Sequence, residues 1–383
     1  MISWEPISSA STHHAIKLVR GMEAAGVSVK LAALRYQGEW GFKVSEKRYA
    51  GFGGIGFYDV PFPYWVMGML KIIRQEKINV IHAYTYGAAN RAWLAARLLG
   101  IPLVYEIHSL LGEELERDKL GRGWKFQLNH CLERVVLRKA DHIVVLGRAV
   151  KQVLVDEQGI PASKISVIYP GVDLAEFAPS SNRVSNHEKF FPGRSVIMYV
   201  GQLGYPNQGV NLLLETIPLV IRRHPEALFV LVGGPAGVAA EMQLGLGEFQ
   251  SKVMFLTEVN SAKLPEIIAQ ADILVHPRLD CRDNYSIQSK IGIYLAAGKP
   301  IVATNVADYN FLLGELQAGI LVKPEKRSLA DGICNILSNQ ISKEKLINHA
   351  LEVAFKFFDI NKSICDYLSI FNKLICGELA NIT

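Results

Sequence analysis

The sequence predicts an α/β protein built of two doubly wound parallel sheets, and three observations predict it. Short apolar runs alternate with longer amphipathic stretches from end to end, which is the order of strand–helix–strand units around a parallel sheet. With 383 residues, 50% of them hydrophobic and 20% charged, the chain can bury two cores. Residues 289–304, SKIGIYLAAGKPIVAT, compress the pattern into one segment. Ile291, Tyr294 and Leu295 recur at helical spacing, Gly298 stands where a helix C-terminus takes a left-handed residue, and Pro300 forbids more helix. Ile301, Val302 and Ala303 then suit a strand buried on both faces.

Taken in order, ISWEP reads as a short strand entered midway, 7–12 as a polar loop, and 13–25 as a helix closed by Gly26. Residues 27–33 alternate like a strand, and 35–63, rich in glycine and aromatics, read as long loops around a strand or two. A helix over 64–76 precedes INVIHAY (78–84), a helix over 87–99 precedes IPLVYEIH (101–108), and a helix ending at 139 precedes HIVVLG (142–147). A helix over 148–157 leads to KISVIYPGVD (164–173). APSSNRVSNHEKFFPGR (178–194) has no periodicity and the composition of a linker. Beyond it, SVIMYVGQL, ALFVLVGG, KVMFLT and ADILVHP are strands, with helices over 209–223 and 261–270, and 343–373 reads as an amphipathic helical region. Two Rossmann-like domains facing across a cleft are the economical architecture: 1–177, a linker at 178–194, 195–355, and a C-terminal helix within 356–383 that packs back on the first domain.

Composition narrows the function. A net charge of +5 without a basic tail allows attraction to phosphate or an anionic surface and gives no footprint for nucleic acid. Five scattered cysteines, odd in number and without metal-type spacing, predict free thiols in the cytoplasm, with no cofactor and no metal. The longest apolar run, 227–240, is broken by Gly233, Gly234 and Pro235, so no spanning helix of ~18 residues is expected. No charged stretch followed by an apolar one opens the chain, and a secretory leader is not expected. Lys119, Arg122, Lys125, Arg134, Arg138 and Lys139, interleaved with Leu120, Trp124, Phe126 and Leu128, would suit a first domain resting on an anionic membrane face.

His82 and His108 close two predicted strands, where side chains leave a parallel sheet and line its ligand crevice. They are candidate site residues, against the plainer reading of hydrogen-bonded loop histidines.

Six local patterns in order resemble the retaining glycosyltransferases of family 4, which have the GT-B fold. They are INVIHAY, LERVVLRKADHIVVLG (132–147), PGVDLAEF (170–177), YVGQL (199–203), LVGGP (231–235) and KIGIYLAAGKPIVAT. The resemblance implies transfer of a sugar from a nucleotide-sugar donor to a glycan or lipid-linked acceptor hydroxyl with retention, in surface polysaccharide or glycolipid assembly. It implies a reaction-centre role for His108, an acceptor side at Ser9, Ser11 and His82, and a donor side at Gly201, Gln202, Gln208, Gly233, Val259, Ser286, Ile287, Lys290 and Ile293.

The departures from the family pattern are concentrated on the donor side. Gln202 and Gln208 stand where the family carries Arg and Lys, and Tyr285 and Ile293 where it carries two glutamates. The paired glycines expected near SSAST (8–12) are also missing. Each charge-assisted hydrogen bond contributes on the order of 1.5–3 kcal/mol, so such losses could remove most diphosphate affinity unless Arg278, Arg282, Lys290 or a cap from Ser286 compensates. Exposed loop arginines are ordinarily solvated. Two alternatives therefore stand beside the enzyme: a catalytically silent homologue that binds a partner or a glycan, and a transferase using a lipid-phosphate donor.

Overall fold

The computed structural model describes residues 2–3, 10–35, 45–48, 56–61, 65–84, 86–108, 124–179, 191–279, 287–306, 308–339 and 341–377. They form two compact units, Met1–Gly171 with Ile360–Thr383, and Val172–Asp359.

The first unit is built on β1 (Ile2–Ser3), β2 (Leu31–Arg35), β3 (Ser45–Arg48), β4 (Gly56–Pro61), β5 (Ile81–Ala83), β6 (Leu103–Ile107), β7 (His142–Val145) and β8 (Ile165–Val167). Their order is β3-β4-β2-β1-β5-β6-β7-β8. Pairing is parallel except between β3 and β4. The winding reverses between β1 and β5, which makes the C-terminal ends of those strands the natural ligand edge. Helices α1 (Ala10–Ala24), α2 (Trp65–Gln75), α3 (Tyr86–Leu99), α4 (Trp124–Lys139) and α5 (Arg148–Asp156) connect the strands.

The second unit carries β9 (Ser195–Val200), β10 (Ala227–Val232), β11 (Val253–Leu256), β12 (Ile273–His276), β13 (Ile301–Thr304) and β14 (Ile320–Val322), all parallel, in the order β11-β10-β9-β12-β13-β14. Among its helices are α6 (Val210–Ile221), α7 (Ala236–Gly245), α8 (Ser289–Ala296), α9 (Lys326–Leu337) and α10 (Lys343–Val353). One face of the sheet is sealed by α6 and α9, whose Leu213, Ile217, Leu329 and Ile333 pack on Ile197, Phe229 and Val302. The opening motif behaves as its spacing requires: α8 stops, Gly298 takes φ +58, and β13 begins three residues later, every residue buried.

An Ala-Asp pair enters a strand in each unit, and the geometry explains both. Asp141 donates its backbone N–H to the Leu103 carbonyl, and its Oδ2 accepts the Leu103 N–H at 2.7 Å. Asp272 makes the same pair of bonds with Val196, its Oδ2 accepting at 2.8 Å. Each carboxylate thus satisfies a donor at or next to the start of a neighbouring strand.

Three expectations shift. Helix α1 starts at Ala10 rather than 13, and β2 at Leu31 rather than 27. The 343–373 region is two helices: α10 ends in a π-turn at Ala354–Phe358, Asp359 is extended, and α11 (Ile360–Ile375) follows. The break is fixed by pairing, since Asp359 bridges to Val172, whose N–H donates to the Phe358 carbonyl at 2.7 Å. Beyond it, Ile364, Tyr367, Ile370 and Phe371 of α11 join Ala15, Leu18 and Met22 of α1 and Tyr84, Val104 and Val144 of the sheet in one core. Burying each large side chain there contributes about 1.5–3 kcal/mol. Gly21 is the tight point of the α1–α11 contact, because a Cβ there would collide with the Ile364 side chain. Of the expected linker at 178–194, residues 180–190 lie outside the described residues.

Tyr294, fully buried on α8, accepts the Val200 N–H at the end of β9 through its hydroxyl at 2.8 Å. Tyr294→Phe strands that buried donor and is expected to lower stability by about 1–3 kcal/mol, seen as an earlier urea midpoint. An unchanged midpoint would show that the bond contributes nothing net.

Candidate functional site

In the first unit, the pleat assembles the site. His82 pairs with Val104 across β5 and β6, and residues two apart on a strand share a face. His82 and Tyr84 therefore lie on the same face as Glu106 and His108. Glu106 is wholly buried and is the hub. His108 Nε2 lies 2.8 Å from its Oε1, and the Tyr367 hydroxyl, from α11, donates to its Oε2 at 2.6 Å. His82 Nε2 lies 2.8 Å from the same Oε2, close enough for an ion pair but without hydrogen-bond alignment. Burial pushes the Glu106 carboxyl up, and the His108 hydrogen bond together with the nearness of both histidines outweighs it, so its pKa falls well below the carboxylate range. Burial, then the Glu106 charge, pushes the Tyr367 phenol far up, so it stays a donor. Above the hub, the Tyr84 ring stands 4.3 Å from that of His108, which keeps 22% of its side chain exposed.

This corrects the expectation for His82. It is 2% exposed, covered by the rings of Tyr367 and Phe371 at 5.0 and 5.8 Å, so it braces Glu106 and presents no face to an acceptor. Ser9 lies outside the described residues, and of Ser11 only its place in α1 is described.

In the second unit, the loops after β9, β10 and β12 converge on the start of α8. Tyr199 donates its hydroxyl to the Gln202 carbonyl at 2.9 Å, leaving the Gln202 side chain exposed. Gln208 is buried, and its Oε1 accepts from Lys290 Nζ at 2.6 Å. The same ammonium lies 3.4 Å from the Tyr199 hydroxyl and 4.8 Å from its ring centroid, within cation–π reach. Gly201, at φ +151, makes the approach possible, because a Cβ there would collide with Lys290 Nζ and come within 2.8 Å of the Tyr199 hydroxyl. Gly233, at φ +138, passes as closely over the Gly201 carbonyl. Lys290 as a whole is half-buried, but its ammonium is enclosed, and burial, aided by Arg278, lowers its pKa to about 7. Burial, then Tyr294, pushes the Tyr199 phenol far up, so it too stays protonated.

Arg278 departs from the solvated loop arginine that its position suggests. It is 4% exposed; its carbonyl accepts the Thr304 hydroxyl, and it hydrogen-bonds the Tyr309 phenol. Burial, then Lys290 and Arg278, holds His276 neutral beneath it, bonded to Tyr309 at 2.8 Å. Of the cations offered as compensation for Gln202 and Gln208, Lys290 thus reaches the β9 loop, and Arg278 is buried nearby against Tyr309. Ile287 is buried and offers no side chain to a ligand, which corrects its assignment as a donor contact; Val259 and Ile293 are half-buried. Arg282, Tyr285 and Ser286 lie outside the described residues.

Residues 11–176 match the model of Glycosyltransferase Family 4, and residues 194–339 the model of Glycosyl transferases group 1. The chain is a family 4 glycosyltransferase. Its relatives include a D-inositol 3-phosphate glycosyltransferase of Corynebacterium glutamicum, 23% identical with 81% of this chain and 76% of that protein covered. Another is the alpha-D-kanosaminyltransferase of Streptomyces kanamyceticus, 24% identical with 78% of each covered. Among solved structures, HepE of Anabaena in complex with UDP superposes with a TM-score of 0.76 at 18% identity, over 96% of this chain and 98% of that one. Sucrose-phosphate synthase of Thermosynechococcus elongatus gives 0.73 at 16% identity, over 98% and 96%. These likenesses establish the fold of this glycosyltransferase as GT-B.

Two residues of the glycosyltransferase escaped the sequence reading. Glu106 carried a usable signal, a Glu-x-His pair at a strand end, whose two side chains must share a face. Tyr367 carried none, because only the return of α11 to the first sheet brings it to Glu106.

Proposed function

We propose that this glycosyltransferase transfers a hexosyl group from a nucleotide-sugar donor to an acceptor hydroxyl with retention of the anomeric configuration. The observation that carries the reading is Lys290, whose ammonium is held by Gln208, the residue standing where the family carries its own lysine. A cation delivered from α8 supplies the charge that the sequence of the β9 loop lacks. With buried Arg278 beside it, it would neutralise the diphosphate leaving group as the glycosidic bond breaks. The role asks for no metal and no cofactor. UDP is the nucleotide the likenesses favour, since HepE was crystallised with UDP and with UDP-glucose. The acceptor side falls to the first unit with His108.

The acceptor we favour is glycan or lipid-linked, met in the cytoplasm at the inner membrane face in surface polysaccharide or glycolipid assembly. The adjacent helices α3 and α4 expose Leu94, Leu98 and Leu128 beside Arg134, Arg138 and Lys139, an apolar and cationic mixture suited to anionic headgroups. Among the described residues no helix is long and apolar enough to cross a membrane.

Calorimetric titration with UDP and GDP, then transfer assays across a panel of nucleotide sugars with the product anomer read by proton NMR, tests the reading. Binding of one diphosphate tighter than about 1 mM, with a retained anomer, is expected. Failure of both to bind would leave Lys290 without its anion and favour the silent homologue. Transfer from a lipid-phosphate sugar alone would favour the third reading.

A further inference from the structure

The environment of His108 is more specific than its place at a strand end requires. Glu106 Oε2 is approached twice, by the Tyr367 hydroxyl at 2.6 Å and His82 Nε2 at 2.8 Å, whereas Oε1 has, among the described residues, His108 Nε2 alone at 2.8 Å. An ionised carboxylate only accepts, so the ring nitrogen that meets Oε1 must carry a hydrogen. In a neutral imidazole the other nitrogen is then an acceptor.

We propose that Glu106 is the positioning residue of this site, fixing His108 as the Nε2–H tautomer so that Nδ1 offers a lone pair to a hydroxyl of the bound sugar. The substrate half of this statement rests on the transferase reading above; the tautomer half does not. Three features hold the device in place. The Tyr84 ring, 4.3 Å from His108, restricts its rotation. Tyr367 comes from α11, so the return of the last helix to the first unit completes the carboxylate's hydrogen bonding. His82, enclosed by Tyr367 and Phe371, shares Oε2 and keeps that oxygen turned away from His108. The carboxylate is thereby oriented as well as ionised, its singly used oxygen directed at the one histidine that keeps exposure.

Glu106→Gln tests this with an internal asymmetry. An amide has one oxygen, which should turn to the side of the Tyr367 hydroxyl, the donor that bonds Oε2 at 2.6 Å, and leave its NH2 facing His108. The histidine must then accept through Nε2 and carry its hydrogen on Nδ1, so the group presented to substrate changes from acceptor to donor. Long-range 1H–15N spectra of the histidine side chains, with His108 assigned by the signal lost in His108→Gln, read the tautomer directly. Wild type is expected to show Nε2–H and Glu106→Gln to show Nδ1–H, while Tyr367→Phe, which keeps the carboxylate, retains Nε2–H. In the transfer assay, kcat of Glu106→Gln should fall roughly tenfold to a hundredfold with little change in donor KM, the loss of one transition-state hydrogen bond. A wild-type spectrum with Nδ1–H overturns the proposal, even if Glu106→Gln does not fold. So does an unchanged His108 tautomer in folded Glu106→Gln. If no donor is turned over, the function proposed above fails, and the spectra still decide the tautomer.

Discussion

Lys290→Met is expected to weaken UDP binding roughly tenfold to a hundredfold, the size of one charge-assisted hydrogen bond or ion pair of about 1.5–3 kcal/mol. Methionine keeps most of the side-chain stem and removes the ammonium that meets Gln208 and Tyr199, so the loss reports charge rather than packing. The same ammonium predicts a pH dependence. Burial holds its pKa at about 7 in the free protein, against 10.5 for an ordinary lysine, and a diphosphate at hydrogen-bond distance must raise it. The complex then binds more protons than free protein plus ligand. Affinity falls as pH rises above about 7, by up to tenfold per unit until the bound-state pKa is reached. For folding the sign is opposite: the unfolded lysine holds its proton between about 7 and 10.5 where the folded one has released it, so this group makes stability rise with pH in that window. Calorimetry from pH 7 upward, where the phosphate is already ionised, measures the binding slope. Lys290→Met should abolish it, and a slope that persists in the variant would place the titrating group elsewhere.

What the sequence made legible, and what it hid, divides by distance along the chain. The helix, stop and strand of 289–304 were readable because Gly298 and Pro300 act on their immediate neighbours. The reach of Lys290 to Gln208, 82 residues apart, was not, since no local pattern states which helix start meets which strand end. Arg278 misleads for the same reason: a loop arginine is ordinarily solvated, but Thr304 from the neighbouring strand β13 and Tyr309 beyond it close around this one. His82 misleads in the other direction. Its strand-end position implies a crevice, and α11, attached almost 300 residues later, fills the space above it. Lys290 and Arg278 could be named from the sequence as candidate cations, but which of them reaches the β9 loop is decided only by the fold.

The largest loss of turnover is expected from His108→Ala, a fall in kcat of roughly 10²–10³, with donor KM little changed. The effect is differential. His108 keeps part of its side chain exposed while its Nε2 is committed to the buried carboxylate, so what it can offer a substrate is one directed nitrogen. An interaction that matters only as the sugar's bond to the diphosphate stretches lowers kcat without touching ground-state affinity, which the phosphate cations dominate. Alanine also leaves Glu106 Oε1 without its donor. The carboxylate's pKa must then rise, because the largest force opposing its burial, the bond from His108, is gone. A folded variant with UDP affinity intact and turnover lost would assign His108 to the chemistry. Loss of UDP binding in parallel would mean that the first unit senses the nucleotide through Glu106. Wild-type turnover would remove His108 from the mechanism and leave the Glu106 hub as a structural brace between the sheet and α11.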